Sequence, residues 1–374
     1  MSGRRLRVGV IGCGLVAQLM HLPHLAELSD LFEVAALCDS SRQVVDGCGA
    51  RFGVGRRFTR SEELLAEDLD AVLVLTPGSH APIAIAAAAA GRHVLVEKPM
   101  CYSVAEGADM LVAAAAAGVT LMVGYPKRYD PAYARAGRAL QGLNDLRFVR
   151  VTTTEAPFAP YIAHYPLLRG DDIDPALAAQ WRADREGRVR AALGELDGRA
   201  ALSYERAARS YEGVLLDTMV HEFNLLRGLL GEPSAVAFAS LRDATTTVVL
   251  DFGGVECVVA WLDLPGIARY EMEACFYDPA QRVRLAFGSP YLRNAPAVVD
   301  IEAGDVAGPS TSASREVTSY ESPFKLELIE FHRAVTAAAE PVTSGLDGLR
   351  DIALCRSVIA CATSGAAVEN PTGL

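Results

Sequence analysis

Six residues near the amino end restrict this chain to a narrow set of folds. The apolar run Arg7-Val8-Gly9-Val10-Ile11 leads directly into Gly12-Cys13-Gly14-Leu15-Val16-Ala17, and a helical pattern continues through Leu28. Strand, glycine turn and helix in that order open a parallel sheet that holds a dinucleotide. Gly12 permits the tight turn, Gly14 lets backbone approach a pyrophosphate, and Ala17 lets the helix lie close to the sheet. The helix N-terminus, entered through Leu15 and Val16, then faces the phosphates.

The pattern repeats. Short apolar runs at Val34 to Cys38, Ala71 to Leu75, His93 to Val96 and Thr120 to Val123 alternate with alanine-rich helices that include Ile83 to Ala90 and Val112 to Ala117. Such alternation predicts a doubly wound parallel sheet, and alanine on its helices allows close packing. Asp39 closes the second run, with Ser40 beside it, and stands where a carboxylate accepts from the adenosine ribose hydroxyls. A carboxylate there repels a 2′-phosphate, so NAD is the preferred cofactor. Arg42 is close enough to attract such a phosphate, which keeps NADP open.

From about Phe148 the texture changes. Phe238 to Leu241, Thr246 to Phe252, Val255 to Leu262 and Tyr270 to Tyr277 follow one another without intervening helices, and the last alternates apolar and polar positions. These read as antiparallel strands with one buried face. Gly304 to Ser314 reads as a mobile loop. Two helices close the chain, one marked by Phe324, Leu328, Phe331 and Val335, the other by Leu346, Leu349, Ile352 and Val358. The expected class is therefore α/β, with an N-terminal Rossmann domain over 1–124 and a C-terminal α+β domain over 125–374 built on a large, mostly antiparallel open sheet. A helix over 345–366 is expected to pack back on the first domain. An insertion at about 155–210 is long for a connection; it carries Phe158, Tyr161, Tyr165, Trp181, the acidic Asp171, Asp172 and Asp174, and a charged helix from Pro175 to Leu193. It reads either as a peripheral excursion or subunit contact, or as a lid over the substrate.

With 374 residues, 51 % of them hydrophobic, the chain has material for two cores. Its net charge of −11 argues against nucleic acid and anionic membranes as partners and favours a small molecule. No run reaches the length of a membrane span, and no signal-peptide pattern precedes the first strand. The eight cysteines lack metal-site or redox spacing and read as small core residues of a cytoplasmic protein, so no metal is expected.

Glu97-Lys98-Pro99 follows the apolar run from His93, on the rim where such sheets hold ligands, so Lys98 can reach both substrate and cofactor, with Glu97 beside it. Thr76, Pro77 and His80 follow the preceding strand on the same rim; His80 reads as a cofactor contact or as a helix-start packing residue. Asp217 and His221 are four apart and share a face on a helix. Oxidation of a hydroxyl needs a base and a fixed positive charge for the alkoxide; His221 and Lys98 suit those roles, with Asp217 orienting the imidazole. Tyr125, Lys127, Arg128 and Tyr129 read as pocket residues or as a packed loop, and Tyr161, Tyr165 and Trp181 as further substrate contacts.

Gly12-x-Gly14-x-x-Ala17, Thr76-Pro77 with His80, Glu97-Lys98-Pro99, Gly124-Tyr125-Pro126-Lys127-Arg128-Tyr129-Asp130-Pro131 and Asp217-x-x-x-His221 occur in an order that resembles the Gfo/Idh/MocA oxidoreductases. The resemblance covers most of the chain outside 155 to 210. It implies a Lys98, Asp217 and His221 catalytic set at the junction of the two domains, a Lys98-Pro99 bond that is often cis, and hydride transfer between NAD(P) and a secondary alcohol or ketone of a sugar, nucleotide sugar or cyclitol. Glu222 and Asn224 depart from the family's usual residues after the histidine. Three rivals differ in chemistry: a hydrolase or lyase that oxidises transiently on tightly held NAD, a reductase of imines or other C=X bonds, and a silent cofactor-binding sensor or subunit. An open sheet with an exposed face leads us to expect a homodimer or homotetramer.

Overall fold

Strands buried on both faces are apolar throughout, and that is how the first third of the chain reads and folds. A computed structural model describes residues 4–195, 202–305, 307–308 and 310–371. It divides into two compact units: Met1–Pro126 with Tyr165–Ala192 and Phe324–Ile352, and Lys127–His164 with Leu193–Pro323 and Ala353–Leu374.

In the first unit six strands, β1 (Leu6–Ile11), β2 (Phe32–Cys38), β3 (Arg56–Phe58), β4 (Ala71–Val74), β5 (His93–Glu97) and β6 (Leu121–Gly124), form one parallel sheet in the order β3-β2-β1-β4-β5-β6. The four residues of β4 are fully buried, as are Val94, Leu95 and Val96 of β5. Helices cover the faces, and the one over Val104–Ala117 starts in a capping box of Ser103 and Glu106. Residues from the end of the chain complete this unit. Thr343 hydrogen-bonds the edge strand β6 through Val123 N (2.9 Å) and Val123 O (2.6 Å), and Leu349, early in the helix Gly345–Ser364, lies against Gly107.

The second unit holds a nine-stranded mixed sheet. Its members are β7 (Phe148–Glu155), β8 (Ala235–Leu241), β9 (Thr245–Asp251), β10 (Glu256–Asp263), β11 (Glu271–Tyr277), β12 (Gln281–Phe287), β13 (Val298–Gly304), β14 (Thr311–Val317) and β15 (Val368–Glu369), in the order β14-β13-β12-β11-β7-β10-β9-β8-β15. All pairs are antiparallel except β7 with β10. One face buries Val149, Val151, Met272, Phe276, Val283, Leu285 and Val299, with the helix Pro131–Leu140 packed near β12 and β13. The opposite face carries a charged ladder of Arg150, Glu273, Arg284 and Asp300.

Two expectations need correction. Thr311 to Ser314 is not loop but the first half of β14; that edge strand is exposed on both faces and rich in Ser and Thr, so it has no apolar alternation to betray it. Asp217 and His221 do not lie on one regular α-helix. Tyr211–Met219 is a π-helical stretch holding Asp217, and the α-helix Val220–Leu230 begins just before His221. The wider π turn shifts side chains around the axis, so α-helical spacing no longer sets their relation.

Candidate active site

The cradle for a dinucleotide lies at the end of β1. Gly12 has φ of 95°, and a Cβ on it would stand 2.7 Å from the Leu75 carbonyl carbon, so the turn leaves room for hydrogen alone. A Cβ on Gly14 would meet nothing within 4 Å, which is the open space a pyrophosphate needs. Asp39 joins the loop after β1 to the loop after β2: Cys13 N donates to its Oδ2 (2.8 Å) and Ser41 N to its Oδ1 (2.9 Å). Each oxygen keeps a second lone pair for a ribose hydroxyl, so these residues fit a dinucleotide. Leu15 and Val16 are half-buried, Ala17 is buried, and Ser40 and Arg42 are exposed. Arg42 Nη1 donates to Arg57 O at 3.3 Å and lies 3.9 Å from Asp46.

The corner after β5 is rigid. Glu97 is buried, its Oε1 is 2.7 Å from His21 Nε2, and its Oε2 accepts from Lys98 N at 3.2 Å. Burial alone would raise its pKa, but the His21 hydrogen bond and the nearby Lys98 hold it below the usual carboxylate value. The Lys98-Pro99 bond is cis, and Lys98 is half-buried. His80 is buried between two carbonyls, Pro99 O and Thr76 O, each at 2.7 Å, and burial drives its pKa down against both. The ring braces the loops after β4 and β5 and has neither nitrogen turned to a ligand. Pro77 is exposed and Tyr125 is fully buried.

In the second unit, Asp217 is exposed and His221 half-buried on the helical run that crosses from π to α. Beside them lies a polar cluster. Lys127 Nζ donates to Tyr270 Oη at 3.3 Å, stands 3.9 Å from Glu222 Oε1 and faces the rings of Tyr270 and Phe287. Glu222 accepts from Thr153 Oγ1 at 2.7 Å. Glu155 receives Thr218 Oγ1 at 3.4 Å and Trp261 Nε1 at 3.5 Å, and burial, with Glu222 nearby, raises its pKa. Arg128 spends two 3.1 Å hydrogen bonds on Asn224, and Tyr161 is clasped between Tyr270 N and Ala268 O, so both brace the unit. In the first unit Tyr165 is half-buried, whereas Trp181 is exposed on the helix Pro175–Leu193.

Residues 6–125 match the Gfo/Idh/MocA family profile, an oxidoreductase family with an NAD-binding Rossmann fold. The chain is 27 % identical to D-apiose dehydrogenase of Paraburkholderia graminis over 385 residues, spanning 98 % of this chain and 90 % of that protein. It is also 27 % identical to 1,5-anhydro-D-fructose reductase of Ensifer adhaerens over 388 residues, spanning 98 % and 99 %. A solved levoglucosan dehydrogenase, in complex with NADH and levoglucosan, shares the fold with a TM-score of 0.76 at 19 % identity over 99 % of this chain and 100 % of that one. Residues 6–125 form a Rossmann domain of the Gfo/Idh/MocA oxidoreductase family.

The chain is an NAD(P)-dependent dehydrogenase or reductase of CH–OH groups. Sequence reading missed Glu155, Thr153, Trp261 and Tyr270, because β7, β10 and the residue just before β11 bring them together around Glu222 from three separate segments. The one signal in the sequence was Glu222 itself, an acid directly after His221.

Proposed function

We propose that this enzyme oxidises a secondary alcohol, or reduces the matching ketone, on a sugar or cyclitol, with NAD as the preferred cofactor. The observation that carries the reading is the corner at Glu97-Lys98-Pro99, where a buried carboxylate fixed by His21 and a buried His80 brace hold Lys98 at the carboxyl rim of β5. Dehydrogenase and reductase relatives of sugars support the substrate class, and Asp39, already tied to both cofactor loops, supports NAD. The nicotinamide, when bound, accepts or supplies the hydride. In the oxidative direction His221 takes the hydroxyl proton, Lys98 holds the developing alkoxide by its charge, and Asp217 orients the imidazole. The carbinol carbon loses a hydride and its oxygen a proton, leaving a carbonyl.

Turnover on a panel of aldoses, anhydrosugars, cyclitols and nucleotide sugars, with Lys98→Met and His221→Asn as controls, tests this. Each substitution is expected to cut kcat by about 10² to 10⁴ with little change in cofactor affinity, and the double variant to lose less than the product. His221→Asn should also flatten the fall of oxidative kcat/KM at acid pH. Near-normal turnover in both single variants would overturn the assignment.

A further inference from the structure

The long connection proves most informative where it runs beside the cofactor loops of its own unit. The side-chain amide of Gln18 clasps the backbone of Leu168: Nε2 donates to Leu168 O (3.0 Å) and to Cys13 O (2.8 Å), and Oε1 accepts from Leu168 N (2.8 Å). Arg51 Nη2 donates to Pro166 O at 2.5 Å. A Cβ on Gly47 would come within 2.8 Å of Leu168 Cδ1, so the leucine lies flat on the helix Arg42–Phe52. The segment thus crosses the start of that helix and brings a charge to it. Asp172 Oδ1 accepts from Ser41 Oγ at 2.5 Å and its Oδ2 from Gln43 N at 3.0 Å, while Asp171 Oδ1 accepts from Gln43 Nε2 at 2.9 Å.

A helix-start N–H and the hydroxyl of the capping residue are the donors an incoming phosphate would use. In dinucleotide folds the 2′-phosphate of NADP is received beside the loop after the second strand, usually with help from an arginine. Here a carboxylate holds those donors, and the arginine of that turn, Arg42, points to Arg57 O and Asp46. Ser41 is bracketed by two acids, with its N–H on Asp39 and its hydroxyl on Asp172. The Ser41 hydrogen bond also keeps the Asp172 carboxyl below its ordinary pKa, so it is charged at neutral pH.

We propose that Asp172 is a cofactor-specificity residue: from 131 residues downstream of Ser41 it fills the anion seat that a 2′-phosphate would need, and so excludes NADP. The role adds to that of Asp39 and rests on the reading that the ribose is held at the end of β2. Titration calorimetry of the full chain with NAD, NADP, AMP and adenosine 2′-monophosphate tests it in wild type, Asp172→Asn, Asp172→Ala and the charge-keeping Asp172→Glu. In the Asn and Ala variants the NADP-to-NAD affinity ratio, and that of the two adenosine fragments, should rise on the order of tenfold or more, as expected when a like charge is removed. The gain should shrink at high salt, and Asp172→Glu should stay close to wild type. Thermal unfolding without cofactor reports whether each variant is folded, and the Asn variant keeps the shape if Ala does not. An unmoved ratio in folded Asn and Ala variants, or an equal loss of both cofactors, would overturn the proposal. A wild-type preference for NADP would instead overturn the NAD reading beneath it.

Discussion

Two carboxylates of the first unit show how burial and partners compete at single residues. Glu97 is buried but held low by His21, whereas Glu327, fully buried in the helix Pro323–Thr336, is driven well above the carboxylate range by burial and then by the charge of Glu97. Folded Glu327 therefore keeps its proton while the unfolded chain releases it near about pH 4.3. The unfolded state binds fewer protons above that pH, so this residue's contribution is intact in acid and is lost as pH rises, by at most about 1.4 kcal/mol per pH unit. Glu327→Gln keeps the shape without the titration. Urea unfolding from about pH 5 to 8 should give a flatter stability profile for the variant, and an identical slope would refute the assignment. Its spacing from Phe324 and Phe331 places Glu327 on the apolar face of its helix, but nothing in the local sequence records the nearby charge of Glu97.

At the scale of elements, the glycine turn separates folding from binding. Gly12→Ala places a methyl against backbone atoms of Leu75 and Thr76 at 2.7 to 2.8 Å and adopts a positive φ, so neither side can yield. It should cost about 1–3 kcal/mol of stability and abolish NAD binding. Gly14→Ala meets open space, and should melt close to wild type while weakening NAD, because the methyl enters the volume the pyrophosphate needs. Thermal melts with and without NAD read both; equal destabilisation of the two variants would contradict this. The turn was legible in sequence because the constraint is local. The π-to-α change between Asp217 and His221 was not, since it follows from how Tyr211, Leu215 and Leu216 are buried in the second unit.

For the whole molecule, the charged ladder on the second unit's sheet bears on assembly. Arg284 is the central link, pairing with Glu273 (2.7 Å), Asp300 (2.9 Å) and Glu271 (3.3 Å) across β11, β12 and β13. We expect the chain to form a homodimer or homotetramer, and native mass spectrometry reads this directly. Arg284→Glu would set four acids together and should destabilise the fold by about 1–3 kcal/mol, given that each partly exposed pair contributes up to about 1 kcal/mol. If the ladder face carries the contact, the same variant shifts the assembly toward monomer. A wild-type monomer at micromolar concentration would refute the expected assembly. Among the described residues no helix is long and apolar enough to cross a membrane.

Whatever depends on neighbours along the chain was settled by the sequence alone. The glycine turn, the buried parallel strands, Asp39 after β2, the Lys98 corner and the charged helix Pro175–Leu193 rest on periodicity, on turn geometry and on spacings of a few residues. Long-range meetings were decided only in three dimensions. His21 reaches Glu97 across 76 residues, Asp172 reaches Ser41 across 131, and Thr343 closes the edge of β6 from 220 residues away. A polar residue's pattern in sequence does not record its partner, because the bond forms only after strands and helices have packed and water has been excluded from around it. The acidic run at Asp171 and Asp172 was therefore visible from the start, while its place at the head of the helix Arg42–Phe52 belongs to the tertiary structure.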